Sequence, residues 1–145
     1  KTLIWGTNGS VGGYAVQYAS SGVGYEAVAT ASPRKFEYVR TPWCLRGSRL
    51  QGQTYRLSKL QRLGPYDFVM TAAGDAKGAN AISDILQPEG GAFASTRPKS
   101  HEMNLAGNVS LLYDFPSMTT QKPENADFTK WWYRDHLPVW LLPGI

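Results

Sequence analysis

Three glycines, Gly6, Gly9 and Gly12, recur at three-residue spacing in "GTNGSVGG", directly after the short apolar run "TLIWG". The spacing is a relative of the G-x-G-x-x-G turn, and each position has a physical use. A side chain at Gly9 would keep the backbone away from a pyrophosphate. One at Gly12 would push the next helix off its sheet. The amides of Ser10 and Val11 would then face an anion, with the positive end of a helix dipole behind them. Glycines also gather in turns that bind nothing. The strand–turn–helix context is what makes this loop read as a dinucleotide-binding turn.

The end of the second strand-like run carries the next chemistry. A carboxylate there would accept hydrogen bonds from the adenosine ribose, whereas a hydroxyl and cations suit a phosphate. The run ends "TASPRK", with no acid beyond Glu26 at its far end. Ser32, Arg34 and Lys35 therefore point to NADP(H). As plain solvated charges, Arg34 and Lys35 would sit at a helix start, where cations are slightly unfavourable. No Cys/His set has metal-site spacing: Cys44 is single, and His101 and His136 stand far apart. No metal is expected.

Alternating strands and helices must position these residues. "TLIWG" reads as a buried strand, and Ser10 to Gly22 as a helix with Val11, Ala15, Val16 and Ala19 on one stripe. "YEAVATAS" is a second strand, followed by a helix from Pro33 through Phe36 and Val39. "SKLQRLG" ends another helix at Gly64. "YDFVMTAAG" is a strand, "AKGANAISDILQPEGG" a helix, and "AFASTRP" and "NVSLLYDF" two further strands. A last amphipathic helix, "ENADFTKWWYRDHLPVWLLPG", is expected to break at Pro138. Its aromatic residues Phe128, Trp131 and Trp132 suit core packing or a covered interface. The order predicts an α/β fold, a Rossmann-type doubly wound parallel sheet, in one domain over 1–145.

The chain has 145 residues, 42% hydrophobic and 18% charged, in keeping with a globular domain. No apolar run approaches the roughly 20 residues that span a bilayer. With no signal segment before the first strand, the expected location is the cytoplasm and no membrane partner is expected. The net charge of +4 invites a nucleic-acid reading, but the basic residues are scattered, and none is expected.

Together "LIWGTNGSVGGYAVQYASSGVGYEAVATASPRKFEYV", "LGPYDFVMTAAGD" and "GGAFASTRP…HEMNL…ADFTKWWYRDHLP" resemble the cofactor domain of the medium-chain dehydrogenase/reductase superfamily. The nearest branch is the zinc-free quinone-oxidoreductase and enoyl-reductase group, which includes fungal proteins labelled zinc-binding oxidoreductases. The resemblance implies an NADPH-dependent enzyme that moves a hydride to a conjugated carbonyl, enoyl or quinone-like. It implies contacts near the nicotinamide from Ala73, Gly74, Thr96 and Arg97. The small-molecule substrate would be held by a second domain outside these residues, so that the chain is a fragment, inactive alone and with no catalytic residue of its own identified. A homodimer is also implied. The alternative is an inert nucleotide-binding module. "YRLSK", Tyr55 to Lys59, matches the Tyr-x-x-x-Lys pair of short-chain dehydrogenases, but it falls before the fourth strand and is set aside.

One stretch departs from this pattern. "RTPWCLRGSRLQGQTYRL", Arg40 to Leu57, has no apolar run where the third strand is due. The family pattern there is Leu-Gly-Ala-x-x-Val-x-Asp-Tyr. Degenerate codons for Pro42 to Gly52, read one nucleotide later, permit Leu-Gly-Ala-Ser-Glu-Val-Val-Asp-Tyr-Lys. The third strand is therefore expected to be disrupted by a frame slip between Pro42 and about Leu57.

Overall fold

The computed structural model describes residues 1–32, 46–49 and 53–140. The helix expected from Pro33, together with Arg34 and Lys35, lies outside them. One domain over 1–145 is the expectation from sequence, and the structure divides the chain into two compact units, Lys1–Tyr113 and Asp114–Ile145.

The first unit is a six-stranded sheet in the order β3-β2-β1-β4-β5-β6. Its strands are β1 (Thr2–Trp5), β2 (Ala27–Ala31), β3 (Arg46–Arg49), β4 (Phe68–Thr71), β5 (Gly91–Ser95) and β6 (Val109–Leu112), and every pairing is parallel. Among the described residues, three helices connect them: α1 (Ser10–Gln17), prolonged by a π-helical turn at Tyr18–Gly22, α2 (Gln53–Leu63) and α3 (Ala76–Ile85).

Alternation along the central strands makes two cores, because successive side chains point to opposite faces. On one face Leu3, Val28, Val69 and Phe93 pack with Leu60 of α2 and Ala79, Ile82 and Ile85 of α3. On the other, Ile4, Ala27, Ala29 and Ala31 pack with Val16 and Ala19, with Ala15 beside them. Val11, expected on that apolar stripe, is instead exposed at the start of α1. Asp75 caps α3, accepting a hydrogen bond from Gly78 N at 2.7 Å. The segment between β5 and β6 is tied to α3, where Asn80 Oδ1 and Ser83 Oγ accept from the Asn104 and Ala106 amides.

The third strand is present, which corrects the expectation of a disrupted one. Arg46 to Arg49 pair with Val28 to Ala31 in register. The physical reason lies in its place at the sheet edge. Such a strand is held through backbone N–H and C=O groups shared with one neighbour, and that pairing needs no apolar run.

The second unit contains α4 (Pro116–Thr119), a 3-10 turn (Pro123–Asn125), α5 (Ala126–Lys130), a π-helical turn (Trp131–His136) and α6 (Leu137–Trp140). Pro138 does not break the helical path as expected. It sits in the first turn of α6, where a proline's missing N–H is tolerated, after a turn already wider than an α-helix. Phe128, Trp131 and Tyr133 are exposed. The rings lie against one another, with Trp131 stacked on His136 at 4.5 Å and Phe128 on Trp132 at 6.2 Å. Lys122 Nζ reaches Asp114 Oδ2 at 2.6 Å. This bond and charge hold the Asp114 carboxyl below the usual range and raise the Lys122 ammonium.

Candidate functional site

β1 and β4 are neighbours in the sheet, yet the helices that follow them pack on opposite faces. Their loops part at the carboxyl ends, and this switch point is where open α/β sheets bind ligands.

The loop leaving β1 is fixed from two sides. Gly6 turns the chain at φ +81°, a conformation side chains rarely adopt, and a Cβ there would lie 2.9 Å from Ala73 Cβ. Its N–H donates to Thr30 Oγ1 at 3.1 Å. The Thr7 N–H donates to the Thr30 carbonyl at 2.9 Å, and the Thr7 hydroxyl donates to the same oxygen at 3.0 Å. On the other side, the Ala72 N–H bonds the Trp5 carbonyl at 2.8 Å.

Gly12 is packed closely against the turn. A Cβ at this position would stand 2.6 Å from Thr7 Cα and 2.7 Å from the Gly6 carbonyl oxygen, so glycine lets α1 lie close to the turn. Gly9 is different. It precedes α1 with φ −101° and ψ 170°, extended backbone open to any residue, and a Cβ there would meet nothing within 4 Å. Among the described residues, no contact accounts for a glycine at 9. Asn8, Gly9, Ser10 and Val11 are exposed. The first turn of α1 has neither a side-chain cap nor an acidic residue, so the positive end of the helix dipole is unneutralised locally. A backbone cradle of this kind fits a pyrophosphate.

The ends of β4 and β5 form the adjoining wall. Gly74 N–H donates to Thr71 Oγ1 at 3.1 Å, and Thr96 Oγ1 donates to the Ala72 carbonyl at 3.3 Å. A Cβ on Gly74 would meet Arg97 Cγ at 2.8 Å and Thr96 Oγ1 at 2.9 Å. Gly6, Gly12, Ala73, Gly74, Thr96 and Arg97 thus form one continuous set of neighbours, with Gly9, Ser10 and Val11 at the exposed start of α1. Ser32 lies half-buried one residue past β2. Thr30 gives no functional signal in the sequence, where a strand threonine indicates little more than β propensity, and neither does Thr7 in the turn. Among the described residues, no three His, Cys, Asp or Glu side chains are grouped to hold a metal ion. None of the helices described is long and apolar enough to cross a membrane.

The strand order, the parallel pairing and the glycine turn at the switch point define a Rossmann-type doubly wound fold. No protein-family model and no curated protein matches the sequence. Solved structures do. A candidate zinc-dependent alcohol dehydrogenase from Rhizobium etli CFN 42 superposes with a TM-score of 0.68 at 23% identity, over 89% of this chain and 39% of its own. The CurK enoyl reductase matches with a TM-score of 0.64 at 22% identity, over 90% and 42%. The quinone oxidoreductase of Thermus thermophilus, solved also with NADPH, matches with a TM-score of 0.64 at 17% identity, over 91% and 43%. The chain spans about two fifths of each of these proteins. The medium-chain resemblance carried by the residues is matched in fold by an alcohol dehydrogenase-like protein, an enoyl reductase and a quinone oxidoreductase.

Proposed function

We propose that this chain is the NADP(H)-binding domain of a medium-chain type oxidoreductase that transfers hydride to a conjugated carbonyl, enoyl or quinone-like. The observation that carries the reading is the turn at the switch point. Among the described residues, no contact requires its middle glycine, and the helix start beside it has no side-chain cap.

In this reading the amides of Ser10 and Val11 hold the pyrophosphate, and Gly9 lets it approach. Gly6 and Gly12 keep the turn against β4 and α1 against the turn. Ser32, with Arg34 and Lys35, receives the adenosine phosphate. Ala73, Gly74, Thr96 and Arg97 line the nicotinamide side, where Arg97 adds a cation. When bound, the nicotinamide supplies the hydride. The proteins similar in fold include an enoyl reductase and a quinone oxidoreductase, the latter solved with NADPH, which supports this choice of cofactor. The substrate domain is assigned to sequence outside these 145 residues.

Titration with NADPH and NADH, read by nucleotide fluorescence, tests the assignment. NADPH is expected to bind at least about tenfold more tightly, a difference of about 1.4 kcal/mol. Equal affinity would remove the phosphate reading, and binding of neither would remove the dinucleotide reading. The chain alone is expected to oxidise NADPH with a quinone no faster than background.

A further inference from the structure

Thr30 stands in the middle of the sheet, fully buried, opposite Trp5 in the β1–β2 register. A hydroxyl in that position is costly unless it is hydrogen-bonded, and valine would fill the same space at less cost. What the hydroxyl does is specific. At Gly6 the chain leaves the parallel ladder at positive φ, and the Gly6 N–H finds its acceptor in Thr30 Oγ1. The Thr30 carbonyl then receives both the amide and the hydroxyl of Thr7, itself fully buried. Three hydrogen bonds join one residue of β2 to two consecutive residues of the turn. With Ala73 against the opposite side of Gly6, the start of the turn has little freedom left.

We propose that Thr30 is a positioning residue for the glycine turn: its hydroxyl sets where the Gly6–Gly12 loop stands, so that affinity for the two-phosphate bridge of a dinucleotide depends on it. The same strand ends at Ala31, one residue before Ser32, to which the proposed function assigns the adenosine phosphate. One strand thereby holds both halves of the nucleotide site in register. The proposal rests on the dinucleotide reading above.

The test replaces Thr30 by valine, which keeps the shape and removes the acceptor, and by serine, which restores it. Two probes are titrated into the full chain at a temperature where all three proteins are folded. NADPH reports the whole site. Adenosine 2′-monophosphate carries the adenosine end without the bridge. Thr30→Val is expected to bind NADPH about tenfold more weakly, in keeping with one lost hydrogen bond and a stranded N–H, with adenosine 2′-monophosphate unchanged. Thr30→Ser is expected to recover most of the loss. Amide hydrogen exchange at Gly6 is expected to quicken in the valine variant and return in the serine one, a readout independent of any nucleotide.

Unchanged NADPH affinity in Thr30→Val, or equal weakening of both probes, would overturn the proposal, the second by showing general damage to the fold. Unchanged exchange at Gly6 would also overturn it. Failure of the wild-type chain to bind either probe would instead sink the dinucleotide reading, and the Gly6 exchange rates would tell the two failures apart.

Discussion

Replacing Gly12 by alanine adds one methyl group in a place where nothing can move aside. The new Cβ would stand 2.6 Å from Thr7 Cα and 2.7 Å from the Gly6 carbonyl oxygen, with Ala72 Cβ at 3.2 Å. Ordinary contact begins near 3.4 Å, so the two closest distances fall short by roughly 0.7–0.8 Å. Both involve backbone atoms, and relief must come from sliding α1 outward. Overpacking of this kind costs about 1–3 kcal/mol, and the rigidity of the neighbours puts the cost near the top of that range. Alanine's better helix propensity gives back at most about 1 kcal/mol. The net loss is about 2 kcal/mol, or roughly 6–10 °C in Tm for a chain of this size. Thermal unfolding followed by circular dichroism measures it. Gly13→Ala is the control, because a Cβ at Gly13 meets nothing within 4 Å and the substitution should leave stability equal or higher. A Gly12→Ala variant as stable as the wild type, or a Gly13→Ala variant equally damaged, would refute the argument.

Other expectations follow from the same geometry. Gly9→Ser supplies a better helix cap in backbone that already suits it, so stability should hold or rise by a few tenths of a kcal/mol, while the added side chain occupies the cradle and weakens NADPH binding in the same titration. Burial holds the Tyr66 phenol well above its usual range, and its hydroxyl donates to the Leu60 carbonyl at 2.6 Å. A raised pKa favours the protonated form in the fold, so this contribution is complete below about pH 10 and is lost as pH rises further. Tyr66→Phe should cost about 0.5–1.5 kcal/mol at neutral pH yet flatten the alkaline end of the stability curve, as urea melts against pH would report. Asp114, depressed by Lys122, keeps its share of the ion pair above about pH 4 and loses it as pH falls, while Lys122 loses its share above about pH 10. Lys122→Ala should move the Asp114 carboxyl up toward its ordinary range in a carbon NMR titration, with the Thr119 and Phe115 hydrogen bonds still lowering it, and no upward movement would mean that the pair does not form in solution.

The parts of the fold that announced themselves are those where burial dictates residue type. β1, β2 and β4 lie inside a parallel sheet covered on both faces, so they appear as short apolar runs ending in glycine or alanine. Gly12 was legible for the same reason, since close helix packing has a residue signature. β3 left no such trace. A strand held by one neighbour's backbone can be written in Arg, Gly and Ser, as Arg46–Arg49 is, and hydrophobic periodicity is blind to it. Thr30 escaped notice because its importance is a contact across 24 residues with an amide freed by a positive φ, information that exists only once the chain has turned. Pro138 misled for a related reason. Proline ends a helix where its ring meets the carbonyl one α-helical turn back, and here it follows the wider π-helical turn Trp131–His136.

The two faces of the sheet also differ in what they allow over evolutionary time. One is filled by Phe93, Leu60, Ile82 and Met103, large side chains that can trade volume among themselves while the layer keeps its thickness. The other is mostly alanine, at 15, 19, 27, 29 and 31, beneath a helix whose beginning is the glycine turn. Enlarging any of these alanines lifts α1, and the turn moves with it. Sequence drift should therefore accumulate on the bulky side and stall on the alanine side. There the limit is set by the distance between a helix and its sheet, even though none of those alanines belongs to the proposed nucleotide site.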